Sequence, residues 1–387
     1  MNRWSACMLT LVIATAGGCD PRRSSSSRDG PPLVPARSAP PRRVNLERAP
    51  KVEVILSPYE LCVRLAGFVR CSGSEPGEGL LVSPPLFGEP VNSYSLGSAE
   101  CLSTTSGEVL CRGENQYGAL GAGLRDDKSD TFVRATGISN ARTVSAGGGH
   151  VCALLDDGRV SCWGNNRFGQ TGGDTHYEPD ARELVRPGEV PFVRGATKVV
   201  TGNESTCVLT KERRVTCWGD LDVGAGMGVS TPDGQHVLAS LADVEDVAGS
   251  GNTFCAVSRG DVHCWGALSA LADDAAALTK VPGLHDARRV GVGYRYACAL
   301  TSDGRVWCWG NNDDGQLGRG AVGGTTPPAP LDLPPTIAIS VGDHMACAVA
   351  ESNDVFCWGR WPRPFDENDP EQEKAPRART PVRVLVR

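Results

Sequence analysis

The chain has 387 residues, 47 of them glycine and 27 proline, and only 6% are aromatic. It is long enough to bury a large core, yet no long amphipathic helical pattern runs through it. The formal net charge of −6 is unevenly spread: residues 1–51 hold nine Lys/Arg against three Asp/Glu, leaving 30 against 42 in the rest. A nucleic-acid binder needs a basic footprint, and the body of this chain has the opposite sign.

In chain order, residues 1–18 have the layout of an export signal. Arg3 opens it and Ala6 to Ala16 forms a short apolar run, too short for a bilayer, where about 20 residues are needed. Thr15-Ala-Gly-Gly-Cys19 places small residues before a cysteine. It resembles the lipobox of bacterial lipoproteins, which implies lipid attachment at Cys19, although Ala16 stands where that pattern usually has Leu. An ordinary cleaved secretory signal is the alternative. Residues 19–50 form a Pro/Ser/Arg-rich tract with too little apolar content to fold, expected to be a disordered tether. Its basic charge could touch anionic lipid, but a solvated linker accounts for it equally well.

From residue 51 onward one short pattern returns seven times, most clearly as Cys298-Ala-Leu-Thr-Ser-Asp-Gly-Arg-Val-Trp-Cys-Trp-Gly310. It predicts two short strands joined by a tight turn, with a cysteine on each. The 16 cysteines divide into Cys7, Cys19 and seven such pairs. Five pairs are ten residues apart and two are nine apart, and turn length accounts for the difference. Facing cysteines leave three-residue loops at Thr105-Ser106-Gly107, Asp156-Asp157-Gly158, Ser302-Asp303-Gly304 and Glu351-Ser352-Asn353. In each, Gly or Asn supplies the left-handed last position. Lys211-Glu212-Arg213 lacks such a residue, so strain or another turn is expected there. The shorter spacings leave two-residue loops, Ala66-Gly67 and Arg259-Gly260.

This register places the cysteines at non-hydrogen-bonded pairs with alpha carbons about 4.5 Å apart, near the short end of what a disulfide tolerates. Seven cross-strand disulfides are expected: Cys62–Cys71, Cys101–Cys111, Cys152–Cys162, Cys207–Cys217, Cys255–Cys264, Cys298–Cys308 and Cys347–Cys357. Buried free thiols are the alternative. Compartment decides between the two, and an exported destination favours disulfides.

First cysteines recur every 39 to 55 residues, close to the period of a four-stranded propeller blade. An upstream strand precedes each hairpin, as at Val144 to Gly147 and Val290 to Gly293. A Pro-flanked segment, such as Val190-Pro-Phe-Val193 or Pro330-Leu-Asp-Leu333, is the candidate fourth strand. The tail Thr380 to Val386 matches that segment but has no hairpin after it. Val52 to Leu56 leads into a hairpin but has no such segment before it. The expected fold is therefore all-β: a seven-bladed propeller over residues 51–387, closed by pairing the C-terminal strand with the N-terminal blade. Insertions at 79–92, 172–194, 268–280 and 361–374 fall on the rim, where repeat proteins often bind.

Gly147-Gly-Gly-His150-Val-Cys through Trp163-Gly-Asn-Asn-Arg-Phe-Gly-Gln-Thr-Gly172 resembles the regulator of chromosome condensation repeat. Trp309-Gly-Asn-Asn-Asp-Asp-Gly-Gln-Leu-Gly318 and Gly113-Glu-Asn-Gln-Tyr-Gly-Ala-Leu-Gly121 match its second half. The resemblance implies a seven-bladed propeller. Blades one, four, five and seven lack the Asn-x-x-Gly-Gln-Leu-Gly tail, and Ser72 and Arg112 replace the tryptophan found as Trp163, Trp218, Trp265, Trp309 and Trp358. The family's founding activity is nucleotide exchange on a nuclear GTPase, with chromatin binding. An exported, acidic chain is not expected to share it, since fold is weak evidence of function. Secreted bacterial members bind and block other proteins, so the resemblance implies a protein-binding disc.

No metal site, cofactor or catalytic set is expected. The chain has no Cys-x-x-Cys for zinc, no Gly-x-Ser-x-Gly elbow and no phosphate loop. The five tryptophans suit blade packing better than sugar stacking. His150 and His344 suit hydrogen bonding, and His176, His236, His263 and His285 share no pattern. Asp126-Asp127, Asp273-Asp274, Asp313-Asp314 and Asp366 to Asp369 lack the alternating spacing of a calcium loop. The sequence thus points to an exported, lipid-anchored monomer of the cell envelope (outer membrane or periplasm, or else secreted). It would bind a protein or glycan through its rim loops and not nucleic acid. A hydrolase or lyase with its site over the axis is the alternative. A nucleotide exchange factor is the third, and it would require a cytosolic location and reduced thiols.

Overall fold

The computed structural model describes residues 44–46, 52–56, 61–72, 87–123, 128–172, 183–221, 229–230, 235–237, 241–266, 278–361 and 376–384. The expected export signal, Cys7, Cys19 and most of the tether lie outside the described residues. So do His176, Asp126-Asp127, Asp273-Asp274, Asp366 to Asp369 and much of the four insertions.

Strand follows strand into seven antiparallel sheets, each one blade. Blade one holds Val52–Leu56, Leu61–Leu65 and Phe68–Ser72. Blade two holds Val91–Leu96, Ala99–Thr104, Val109–Glu114 and Lys128–Arg134. Blade three holds Ala141–Ala146, His150–Leu155, Val160–Asn165 and Glu183–Glu189. Blade four holds Ala196–Thr201, Ser205–Thr210 and Val215–Gly219, with short outer strands Val229–Ser230 and Gln235–Val237. Blade five holds Val244–Ser250, Thr253–Ser258, Asp261–Gly266 and Thr279–Lys280. Blade six holds Ala287–Gly293, Tyr296–Thr301, Val306–Asn311 and Thr325–Pro330. Blade seven holds Thr336–Val341, Met345–Ala350, Val355–Arg360 and Arg377–Val384. The all-β, seven-bladed architecture is the expected one.

The turns follow the counting argument. Gly107, Gly158, Gly304 and Asn353 each take positive φ at the last loop position. Arg213 takes the same position at φ 59°, and its N–H donates to Thr210 O as Gly304 N–H does to Thr301 O. The turn type is kept, and a long side chain sits where glycine is preferred. In the two-residue loops both residues, Ala66 with Gly67 and Arg259 with Gly260, have positive φ, the form that matches strand twist.

Two details differ from expectation. The fourth strand lies before the Pro-flanked segment, as Glu183–Glu189 and Thr325–Pro330 show, and it is the outer strand of the preceding hairpin's sheet. For the same reason the C-terminal strand pairs with Val355–Arg360 in blade seven, through Val355↔Val384 and Arg360↔Arg377, and not with blade one. Side-chain packing joins the ends instead. Val52, Val54, Leu61 and Val63 of blade one share a buried cluster with Ile337, Val349, Trp361 and Val384.

Main-chain bonds link neighbouring blades on the turn side. The hairpin-turn carbonyl of one blade accepts the N–H that opens the next blade. The series runs from Gly67 O with Val91 N (2.8 Å) through Gly107–Ala141, Gly158–Ala196, Arg213–Val244 and Gly260–Ala287 to Gly304–Thr336 (3.0 Å). Residues 44–46, inside the stretch expected to be a tether, dock at the end of that series. Val44 is buried and donates its N–H to Ser302 O at 3.1 Å. Leu46 packs against the clusters on both sides of blade seven.

Candidate functional site

Each cysteine pair is disulfide-bonded across its hairpin, with alpha carbons 4.0–4.2 Å apart. The clips do not lie at the surface. Cys101 and Cys111 share a buried cluster with Trp163 of the next blade, Cys152 and Cys162 with Trp218, and Cys298 and Cys308 with Trp358. The tryptophans are thus interblade wedges and offer no face for stacking.

Their indole N–H groups explain the uneven tails. Trp163 Nε1 donates to Ala119 O (2.8 Å), Trp218 Nε1 to Gln170 O (2.9 Å) and Trp358 Nε1 to Gln316 O (2.9 Å). Every acceptor lies in the Asn-x-x-Gly tail of the preceding blade. Trp265 and Trp309 follow blades four and five, which lack the tail, and their Nε1 atoms have no partner among the described residues. Blade two follows blade one, which also lacks it. There Arg112 replaces the indole, lying over Phe132 at 4.9 Å to the centroid and pairing with Glu100 at 2.5 Å.

Among the histidines, His150 is buried and held through Nε2 to Thr206 Oγ1 at 2.8 Å. Burial pushes its pKa down to about 3, so it is a neutral pin between blades three and four. His263 is lowered as well, chiefly by desolvation, and His285 lies 3.2 Å from Asp261 at the surface. His344 joins Asp314, which also meets Arg377 at 3.0 Å and Arg360 at 3.8 Å. His344 Nδ1 lies 3.0 Å from the carboxylate but out of line for a hydrogen bond, so the contact is one of charge. His344, then Arg377 and Arg360, hold the Asp314 carboxyl down to about 2 against the opposing effect of burial. This cluster ties blade six to three parts of blade seven. Among the described residues, no group of three or more His, Cys, Asp or Glu is placed to hold a metal ion.

The first strand of every blade ends at one axial mouth, a cavity of about 300 Å³ lined by residues of all seven. Its walls are built by hydroxyls that bind main chain of the next blade. Ser95 Oγ accepts Ala146 N–H at 2.9 Å, and Ser145 Oγ accepts Thr201 N–H at 3.1 Å. Just past each strand, Ser98 N–H donates to Gly147 O, Gly148 N–H to Gly202 O, Asn203 N–H to Gly251 O and Tyr294 N–H to Asp343 O, at 2.8–3.2 Å. Asp343 is the one charged residue in the lining, and Ser250 Oγ donates to its Oδ1 at 2.8 Å. Tyr294 is 55% exposed, its ring 5.8 Å from that of His344. The sequence reading did not single out Asn203, Tyr294 or Asp343. The available signal was their shared place, directly after the glycine that ends each first strand.

A second, larger cleft of about 850 Å³ opens at the seam of blades one and seven, between Val54 and Leu65 on one side and Ala338 and Ile339 on the other. It adjoins residues 47–51 in sequence, which are outside the described residues, and its wall is built largely of backbone and apolar side chains.

These features define a class: a seven-bladed β-propeller in which every blade carries one disulfide-clipped hairpin. The family model for the regulator of chromosome condensation (RCC1) repeat matches residues 141–170, 287–316 and 303–349. The chain is an RCC1-repeat β-propeller. It is similar to the human E3 ubiquitin-protein ligase HERC2, 31% identical over 247 residues, which cover 58% of this chain and 5% of the ligase. The chain therefore corresponds to a small part of that protein. Among solved structures it resembles human WBSCR16 (TM-score 0.65, 21% identity, 81% of this chain and 89% of that one). It also resembles Prp20p of Saccharomyces cerevisiae (TM-score 0.61, 18% identity, 89% and 90%), described with its binding to Gsp1p and histones. Identities this low establish the fold alone. Seven disulfides fit an oxidising, extracellular environment.

Proposed function

We propose that the chain is an exported, non-catalytic binding module, anchored in the cell envelope through lipid at Cys19 and engaging a protein partner with its rim loops. The observation that carries this reading is the disulfide in every blade. It suits a compartment without reducing agents, and it holds a rigid ring from which loops of unequal length project. The fold likeness to Prp20p, a propeller described with protein partners, supports a protein ligand over a glycan at the rim. A hydrolase or lyase over the axis finds little support in the mouth, whose described lining brings one carboxylate and no acid–base pair. The exchange-factor reading needs reduced thiols, which conflicts with seven closed pairs.

The test is thiol labelling of intact cells with and without reductant, combined with fractionation of wild type and Cys19→Ala and with affinity capture from envelope extracts. Labelling only after reduction, release of the variant from the membrane and a reproducible captured protein are expected. Free thiols in the native protein would refute export, and an unchanged membrane fraction for Cys19→Ala would refute the anchor. Capture that returns no partner under several conditions would refute the binding role.

A further inference from the structure

In a repeat protein, positions that serve packing recur from copy to copy, because each copy meets the same neighbours. The residue after the strand-end glycine does not recur. It is Ser98, Gly148, Asn203, Asn252, Tyr294 and Asp343 in blades two to seven, while the glycines before them (Gly97, Gly147, Gly202, Gly251, Gly293 and Gly342) are invariant. The backbone at this position is held by the interblade bonds described above, so the side chain is free of a structural task. All but Asn252 line the axial mouth.

Three of these residues form a continuous arc. Asn203 bonds through its N–H to Gly251 O, Ser250 beside Gly251 reaches Asp343, and Asp343 O accepts the Tyr294 N–H. Along this arc Tyr294 offers an exposed aromatic face. The second carboxylate oxygen of Asp343 and the exposed side-chain amide of Asn203 have no hydrogen-bond partner among the described residues. A divalent cation would need six or more oxygen ligands and usually several carboxylates, whereas this lining supplies one. A sugar ring presents an apolar C–H face to stack on an aromatic and hydroxyls that both donate and accept. It therefore matches a tyrosine, a carboxylate and an amide set side by side. The cavity is at the lower end of the volumes that hold small ligands, enough for one ring.

We propose that the axial mouth is a saccharide-binding site for a single neutral pyranose unit, stacked on Tyr294 and hydrogen-bonded by Asp343 and Asn203. It is separate from the rim and does not depend on the proposed protein partner.

The test is saturation-transfer NMR on the folded, oxidised protein with glucose, galactose and N-acetylglucosamine, followed by titration of whichever binds. At least one should show transfer and saturate. Tyr294→Ala should weaken it by about 3- to 10-fold while Tyr294→Phe retains it, and Asp343→Asn should weaken it by about tenfold. Unchanged melting temperatures would show that the variants fold. Absence of transfer from all three sugars would overturn the proposal. So would undiminished transfer to a Tyr294→Ala/Asp343→Asn double variant, or a site that saturates with calcium but with no sugar. None of these outcomes bears on capture of a protein at the rim.

Discussion

Replacing Cys152 and Cys162 together by alanine tests what the clips contribute. The bond spans ten residues in sequence, and closing a loop of that size lowers the entropy of the unfolded chain by an amount worth about 2.7 kcal/mol at 25 °C. Spread over a cooperative unit of this size, that should lower the melting temperature by roughly 4 °C. The packing change should be small, because both cysteines are fully buried beside Trp218 and alanine leaves most of that cluster in place. Removing Cys347 and Cys357 as well, on a distant blade, should about double the loss. Scanning calorimetry on oxidised samples, with disulfide content checked by mass spectrometry, measures this. A double variant that melts within 1 °C of wild type would refute the unfolded-state argument, as would complete reduction that leaves the transition unmoved.

Three further outcomes follow from other parts of the ring. The Asp314 carboxyl is held at about 2 against an ordinary 3.8, so its charge stabilises the fold above about pH 4 and the benefit disappears as pH falls towards 2. The stability gap between wild type and Asp314→Asn should therefore close over that window, from at most about 2 kcal/mol, and a gap independent of pH would contradict the assignment. Trp163→Phe should cost about 1 kcal/mol more than Trp265→Phe in denaturant unfolding, because only Trp163 loses a hydrogen bond with a described partner. Equal losses would mean that the indole bond contributes nothing. Arg213→Gly should stabilise by about 0.5–1 kcal/mol through relief of the left-handed residue, less what its exposed contacts to Asp243 and Glu245 contribute. Destabilisation would show that those contacts outweigh the strain.

The hairpins, their register and the number of blades were legible because their signals are local. Gly304 or Gly260 fixes a turn, and the cysteine spacing then fixes which residues face each other. The outer strands were less legible. Arg377–Val384 alternates between exposed and buried positions without a clean period and contains Pro381, so its sequence does not tell whether it edges the last sheet or the first. The docking of Val44 and Leu46 was hidden by the composition around them, since two apolar residues in a Pro/Arg-rich stretch do not suggest burial. The axial mouth was missed for a different reason. A search for repeats weights what the copies share, and Asn203, Tyr294 and Asp343 occupy the place where the copies part.

The indole bonds bear on how such a ring could be lengthened or shortened. The acceptor for each wedge sits in the loop of the previous sheet, so a self-sufficient module begins at one Asn-x-x-Gly tail and ends just before the next. It is offset from the sheet by most of a blade. A duplication cut at sheet boundaries would strand one buried donor at each junction, whereas a cut at the tails would carry donor and acceptor together. Trp265 and Trp309, which follow tail-less sheets, are where this ring already tolerates that mismatch.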